Sequence, residues 1–228
     1  MQYEEIEKGI FLQRPNRFIA QVLVNGKEET VHVKNTGRCK EILLPKTAVI
    51  LEKAQNQGRK TDFSLISAYK NNILINIDSQ VPNKVVFDGI REGKVAELRE
   101  VNFLKREVTY AKSRFDLYFE TKSAKGFVEV KGVTLENNGV AMFPDAPTER
   151  GAKHVTELSK AVQDGYDCFI FFLIQMQGVK YFTPNKETDL AFCQALYAAE
   201  QAGVKVLCYD SIVMENSITL GTNVPIKL

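Results

Sequence analysis

Phe115-Asp116-Leu117-Tyr118-Phe119-Glu120, followed after five residues by Gly126-Phe127-Val128-Glu129-Val130-Lys131-Gly132, is the stretch of this 228-residue chain from which the rest is read. Side chains alternate across a strand, so Glu129 and Lys131 share one face while Val128 and Val130 pack on the other. Asp116 stands thirteen positions before Glu129, a separation that suits a hairpin looping through residues 121–125 and sets Asp116 beside Glu129. Carboxylates this close repel one another, and burial favours their neutral forms. A hard dication relieves both problems, and Mg²⁺ is often held by only one or two carboxylates plus waters and phosphate. Asp116 and Glu129 are therefore the expected ligands of Mg²⁺ or Mn²⁺. Asp116, Glu129 and Lys131 together form the expected catalytic set for phosphodiester hydrolysis, with Lys131 orienting the water or neutralising developing charge. The same residues also read as the solvated polar face of an amphipathic strand, with Asp116 salt-bridged to Lys131.

Outward from this hairpin, residues 101–110 read as extended, 147–164 and 189–202 as helices, and 166–175 and 204–209 as strands. The apolar run at 166–175 suits a strand buried on both faces. Upstream, Pro82 discourages helix at Val81 and Asn83 is a good N-cap for a helix running to about Glu97. That order predicts an α/β domain around a mixed sheet over 83–228. Residues 1–82 read as all-β, with strands at 18–24, 29–33, 48–51, 65–69 and 73–77. Turns are expected at Asn25-Gly26, Asn35-Thr36-Gly37 and Asn71-Asn72. Five short strands fit a small barrel, for which the oligonucleotide-binding (OB) type is the natural candidate, although periodicity alone does not separate it from other small barrels.

Charge separates the two parts. Residues 14–60 carry ten Lys or Arg against four Asp or Glu, whereas 83–228 carry 18 against 19. A basic barrel suggests a polyanionic partner, although a solvated basic surface would look the same. Arg14, Arg17 and Phe18 interleave cations with an aromatic, and Arg38, Arg59 and Lys60 lie in or near predicted turns, where a barrel grips nucleic acid. Arg150 and Lys153, with His154, fall on one face of the 147–164 helix near its start, where phosphate is favoured. A capped helix with a Glu149–Lys153 ion pair is the alternative there. Nucleic acid is the expected partner, with a homodimer as an allowed assembly. No apolar run reaches the roughly 20 residues that span a bilayer, and the N-terminal residues lack a signal-peptide layout, so the expected location is cytoplasmic and no membrane partner is expected. Cys39, Cys168, Cys193 and Cys208 form no C-x-x-C pair and read as buried free thiols rather than a zinc site.

The motifs Arg14-Pro15-Asn16-Arg17-Phe18, Asn35-Thr36-Gly37-Arg38, Arg59-Lys60-Thr61, Pro82-Asn83, Ser113-Arg114-Phe115-Asp116, Val128-Glu129-Val130-Lys131 and Phe143-Pro144-Asp145-Ala146, continuing through Thr148-Glu149-Arg150-Gly151 to Lys153-His154, occur in this order. In them the chain closely resembles the sugar fermentation stimulation protein A (SfsA) family. The resemblance implies an α+β chain of two domains: an N-terminal OB-like barrel and a C-terminal α/β domain similar to the PD-(D/E)xK nucleases. In that superfamily an acid on one strand precedes acid-x-Lys on the next, matched here by Asp116, Glu129 and Lys131, with Phe115 where the superfamily name has proline. A further acid often comes from the preceding helix, for which Asp88, Glu92 or Glu97 is the candidate. The resemblance also implies DNA binding linked to the control of sugar (maltose) metabolism. Two functions follow as expectations: a Mg²⁺-dependent nuclease, or a DNA-binding regulator that does no chemistry. Nothing in the residues suggests a sugar site.

Overall fold

Apolar side chains at every second position drive the first third of the chain into strands that close on a shared core. The computed structural model describes residues 1–35, 37–55, 58–111 and 113–228. Strands β1 (Ile6–Gln13), β2 (Ile19–Val24), β3 (Lys27–Val33), β4 (Ala48–Lys53) and β5 (Phe63–Lys70) form a five-membered ring: β1 pairs β2 and β4, β2 pairs β3, and β4 pairs β5, all antiparallel. A short parallel pairing of β3 with β5, at His32↔Ser64 and Val33↔Leu65, closes it. Phe11, Ala20, Val22, Val31, Val49, Leu51 and Leu65 fill the interior. The predicted turn at Asn25-Gly26 is present, with both residues at positive φ as a two-residue hairpin of this kind requires.

The sequence reading places the fifth strand wrongly. Residues 73–77 become β6 (Ile73–Asn76), which extends the sheet from β5 outside the ring, while the missing member is β1. Gly9 interrupts the alternation of β1, yet a Cβ there would lie 2.5 Å from Val22 Cγ1, so the strand needs glycine to pack. The expected turn at Asn35-Thr36-Gly37 and the segment just before Arg59 and Lys60 fall partly outside the described residues, at positions 36, 56 and 57.

The rest of the chain runs α1 (Pro82–Arg91), a 3₁₀ turn (Ala96–Leu98), β7 (Phe103–Tyr110), β8 (Ser113–Glu120), β9 (Lys125–Val133), β10 (Leu135–Asn137), β11 (Val140–Phe143), α2 (Glu149–Gln163), β12 (Asp167–Ile174), β13 (Tyr181–Pro184), α3 (Leu190–Gln201), β14 (Lys205–Met214) and β15 (Ser217–Asn223). Its main sheet has the order β15-β14-β12-β9-β8-β7. The central neighbours β9, β12 and β14 are parallel, and the outer pairs are antiparallel, giving the expected mixed sheet. Strands β10, β11, β13 and β15 have no counterpart in the sequence reading; three of them make a small separate sheet. One apolar cluster lies on each face of the main sheet: Val155, Leu158 and Ala161 of α2 pack on one, and Val85, Val86 and Ile90 of α1 on the other.

Helix boundaries differ where capping decides. Helix α1 starts at Pro82, which occupies the first turn where its missing N–H costs nothing, and ends at Arg91, with Gly93 at φ +68° just beyond. Asn83 is therefore inside the helix rather than its cap. Thr148 caps α2, its Oγ1 accepting from Gly151 N–H at 3.0 Å, so Pro147 precedes the cap. Asp189 caps α3 and also accepts the Thr148 N–H at 2.7 Å, tying the two helix starts together.

Buried polar bonds fasten barrel to sheet. Asn76 N–H donates to Gln175 O at 2.9 Å, and Gln175 Nε2 donates back to Asn76 Oδ1 at 3.0 Å. Lys70 pairs with Glu136 at 2.8 Å. Among the described residues, no helix is long and apolar enough to cross a membrane. All four cysteines are buried and free, as expected.

Candidate metal centre

The ladder between β8 and β9 stops at Leu117↔Val128, one residue short of Asp116. There the two strands part, and the Asp116 side chain takes over from the backbone. Its Oδ2 accepts the Val130 N–H at 2.8 Å, and its Oδ1 accepts from Asn83 Nδ2 of α1 at 2.7 Å. The same break turns Phe115 to one apolar cluster and Leu117, two residues on, to the other. On the neighbouring β7, Glu107 lies between the paired residues Arg106 and Val108 and adopts φ +55°, a conformation side chains other than glycine rarely take.

Glu129 lies within reach of Asp116's charge and is 2% exposed. Its Oε1 receives two short bonds, from Lys131 Nζ and His154 Nδ1, both at 2.6 Å. Its Oε2 is buried and has no hydrogen-bond partner. Burial pushes the Glu129 carboxyl up, but the His154 hydrogen bond and then the Lys131 ammonium outweigh it and hold the group below the usual range. Asp116 goes the other way. Burial first, and the Glu129 charge second, raise it above the usual carboxylate value.

That raised value has a consequence for stability. The folded chain holds the Asp116 proton more tightly than the unfolded one, so this group's contribution falls as pH rises from the ordinary aspartate value through the raised one. Asp116→Asn removes the charge and keeps an acceptor for Val130. Without added metal at neutral pH it is expected to melt about 2–4 °C higher, the shift that ~1 kcal/mol gives at this length. A melt at or below that of wild type, followed by circular dichroism, would contradict this.

Of the expected site residues, Asp116, Glu129 and Lys131 are brought together. Asp116 bonds Asn83 and Val130, and the ion pair with Lys131 that the alternative reading offered is not formed among the described residues; Lys131 pairs with Glu129. None of the candidate additional acids of α1 and its following turn bonds to the site: Asp88 pairs with Lys84, Glu92 with Lys94, and Glu97 accepts from the Tyr209 hydroxyl. The side chain that α1 does supply is Asn83. His154 is set by the sequence reading on one helix face with Arg150 and Lys153. It lies instead on the buried stripe Gly151, His154, Val155, Leu158 of α2, whereas Arg150 and Lys153 are exposed. A histidine at helical spacing among apolar residues was the available signal. No Glu149–Lys153 ion pair forms among the described residues.

On the barrel, Arg17 stacks over the Phe18 ring at 4.9 Å, and Phe18 is 49% exposed. Arg38, Arg59 and Lys60 are exposed, with Arg59 also donating to Ser64 Oγ at 3.2 Å. Arg14 has a different place. Its two terminal nitrogens donate to the carbonyls of Gly37, Arg38, Arg17 and Asn35 at 2.6–3.0 Å, so it braces the loop that presents Arg38. Asp145 supports the same loop by accepting the Arg38 N–H.

A divalent cation fits these residues. Two carboxylates of different strands, one with a buried oxygen left without a partner, are the oxygen donors a hard cation takes, and such a cation keeps waters for the rest. Among the described residues there is no group of three His, Cys, Asp or Glu with metal-cage spacing.

Residues 12–77 match the family model described as the SfsA N-terminal OB domain, and residues 80–217 match the sugar fermentation stimulation protein RE domain. The chain belongs to the sugar fermentation stimulation protein family. Members named sugar fermentation stimulation protein homolog include one from Alkaliphilus oremlandii, 56% identical over 99% of this chain and 98% of its own length. Another, from Desulfitobacterium hafniense, is 54% identical over 100% of this chain and 99% of its own. A solved family structure, described as Pyrococcus furiosus SfsA in complex with Ca²⁺, superposes with a TM-score of 0.90 at 28% identity, covering 100% of this chain and 98% of that one. The OB assignment thus holds for the barrel by strand order and by family.

Proposed function

We propose that this family member is a cytoplasmic, nucleic-acid-binding protein, acting on DNA first, whose second domain hydrolyses phosphodiesters with Mg²⁺ or Mn²⁺ at Asp116, Glu129 and Lys131. The observation that carries the reading is the convergence of the three side chains at a break in the β8–β9 ladder, with Glu129 Oε2 buried and unpartnered. Asp116 and Glu129 would hold the cation. When bound, such an ion acidifies water and stabilises charge on phosphate. Lys131, anchored on Glu129 Oε1, keeps an ammonium beside the acids, where it offsets their charge and can meet an incoming phosphate oxygen. Asn83 and the Val130 N–H fix the Asp116 carboxylate. The relative crystallised with Ca²⁺, a hard cation with the same taste for oxygen ligands, supports cation binding in this family. Arg17, Phe18, Arg38, Arg59 and Lys60 on the barrel, with Arg150 and Lys153 on α2, would hold the backbone of the substrate.

One observation favours a second reading. Both Asp116 oxygens and Glu129 Oε1 are already satisfied within the protein, so the pair is held without a cation. A DNA-binding regulator of sugar metabolism that retains the fold without its chemistry would look like this. The discriminating assay is metal-dependent cleavage of a panel of DNA and RNA by wild type, Asp116→Ala and Lys131→Ala. Equal activity in all three would sink the nuclease reading, while salt-sensitive binding that survives in the variants would favour the regulator.

A further inference from the structure

The sheet face that carries Glu129 continues past the acids into an aromatic surface that the metal centre does not use. Tyr118 lies two residues along β8 from Asp116, about 6.8 Å at strand spacing. Lys105 of the edge strand β7 is paired opposite it, and Phe103 opposite Glu120. Phe103 is 47% exposed and meets Tyr118 edge-on, with ring centroids 6.3 Å apart. Tyr118 is held from below by Phe127, 5.4 Å away, and at its tip by a 2.7 Å hydrogen bond from its hydroxyl to Glu120 Oε1. Both tethers fix the ring. Beyond Phe127, Tyr166 is capped by Lys125 Nζ at 5.1 Å from its ring centre. Lys105 and Lys125 are exposed, so two cations flank half-exposed aromatic rings.

An exposed aromatic edge gains nothing from folding by itself. Rings held rigid, with ammonium groups beside them, suit a ligand that alternates flat bases with phosphates. We propose that the β7–β9 face beside Asp116 is a platform for unpaired nucleic acid, with bases stacking on Phe103 and Tyr118 and phosphates meeting Lys105 and Lys125. The occupant follows from the charge of the two lysines and from continuity with the acids, since one further step along β8 brings a bound strand to Asp116. The proposal rests on the reading that the chain binds nucleic acid, and it adds a surface distinct from the barrel.

The test is fluorescence anisotropy of short labelled oligo-dT, oligo-U and a duplex, in EDTA so that no cleavage intervenes. The chain has eight tyrosines and no tryptophan, so quenching of tyrosine emission gives a second readout. Phe103→Ala and Lys105→Glu replace exposed residues and should each weaken binding of both single strands by roughly five- to tenfold, with a smaller effect on the duplex. Tyr118→Leu should remove most of the emission quenching. Unchanged single-strand affinity in Phe103→Ala and Lys105→Glu would overturn the platform. If Arg17→Glu and Phe18→Ala abolish binding while the platform variants bind normally, the platform fails and the nucleic-acid reading stands. A wild-type chain that binds none of the three probes overturns both.

Discussion

Asp116→Ala is expected to lower Mg²⁺-dependent cleavage by at least about a hundredfold, and Glu129→Gln by a similar factor. Groups that act directly on developing charge in a transition state are typically worth 10²–10³ in rate. Asp116 is one of the two carboxylates proposed to hold the cation, and truncating it also frees the Val130 N–H and the Asn83 amide that it holds. The loss should appear in kcat and kcat/KM together, as for an interaction made in the transition state. Binding of substrate in EDTA should persist or strengthen slightly, because a negative charge facing phosphate is gone. Cleavage at the wild-type rate by Asp116→Ala would mean that the observed activity arises elsewhere, and single-turnover assays with the same preparation separate these outcomes. The variant that destroys chemistry is thus close to the one that stabilises the fold, Asp116→Asn. Such opposition is common where a site holds charge that folding would rather neutralise.

Lys131→Met should be the most destabilising of the site substitutions, by about 3 kcal/mol. Removing one member of a buried ion pair strands the other, at a cost of roughly 3–5 kcal/mol. His154 still donates to Glu129 Oε1, which sets the estimate at the low end. Adding Glu129→Gln in the same chain should recover most of the loss, because no uncompensated charge then remains. Urea unfolding of the two single variants and the double variant measures the coupling directly. Loss of under about 0.5 kcal/mol in Lys131→Met would make Lys131 a solvated surface lysine. The pH dependence has a sign as well. Glu129 is held below its ordinary range, so its contribution is present above the ordinary glutamate value and lost as pH falls through the lower, folded one. Lys131→Met should flatten that acid-side loss.

Strand alternation was enough to find the centre of the molecule. Glu129 and Lys131 share a face because they are two apart, and the apolar run of β12 marked the middle of the sheet. The details escaped for identifiable reasons. Asp116 does not extend the ladder opposite Glu129; it replaces a backbone acceptor for Val130 where the strands part, and alternation alone carries no signal for such a break. Asn83 resembled a helix cap because Asn favours that role, but Pro82 had already taken the first turn. Strand β1 was hidden by Gly9, a residue that usually punctuates strands and is here demanded by the nearby Val22 side chain. The short strands β10, β11 and β13 have too few residues for a period to register. Arg14 looked like a phosphate ligand by composition, yet four carbonyls converge on it from a loop whose shape only the folded barrel defines.

The most direct measurement is anomalous diffraction from a crystal of this protein soaked in Mn²⁺. A peak between the Asp116 and Glu129 carboxylates, within reach of Glu129 Oε2, is the expected result. An empty site at saturating Mn²⁺, with Lys131 and His154 still closed on Glu129, would contradict the metal centre and leave a basic barrel joined to a fold that does no phosphodiester chemistry.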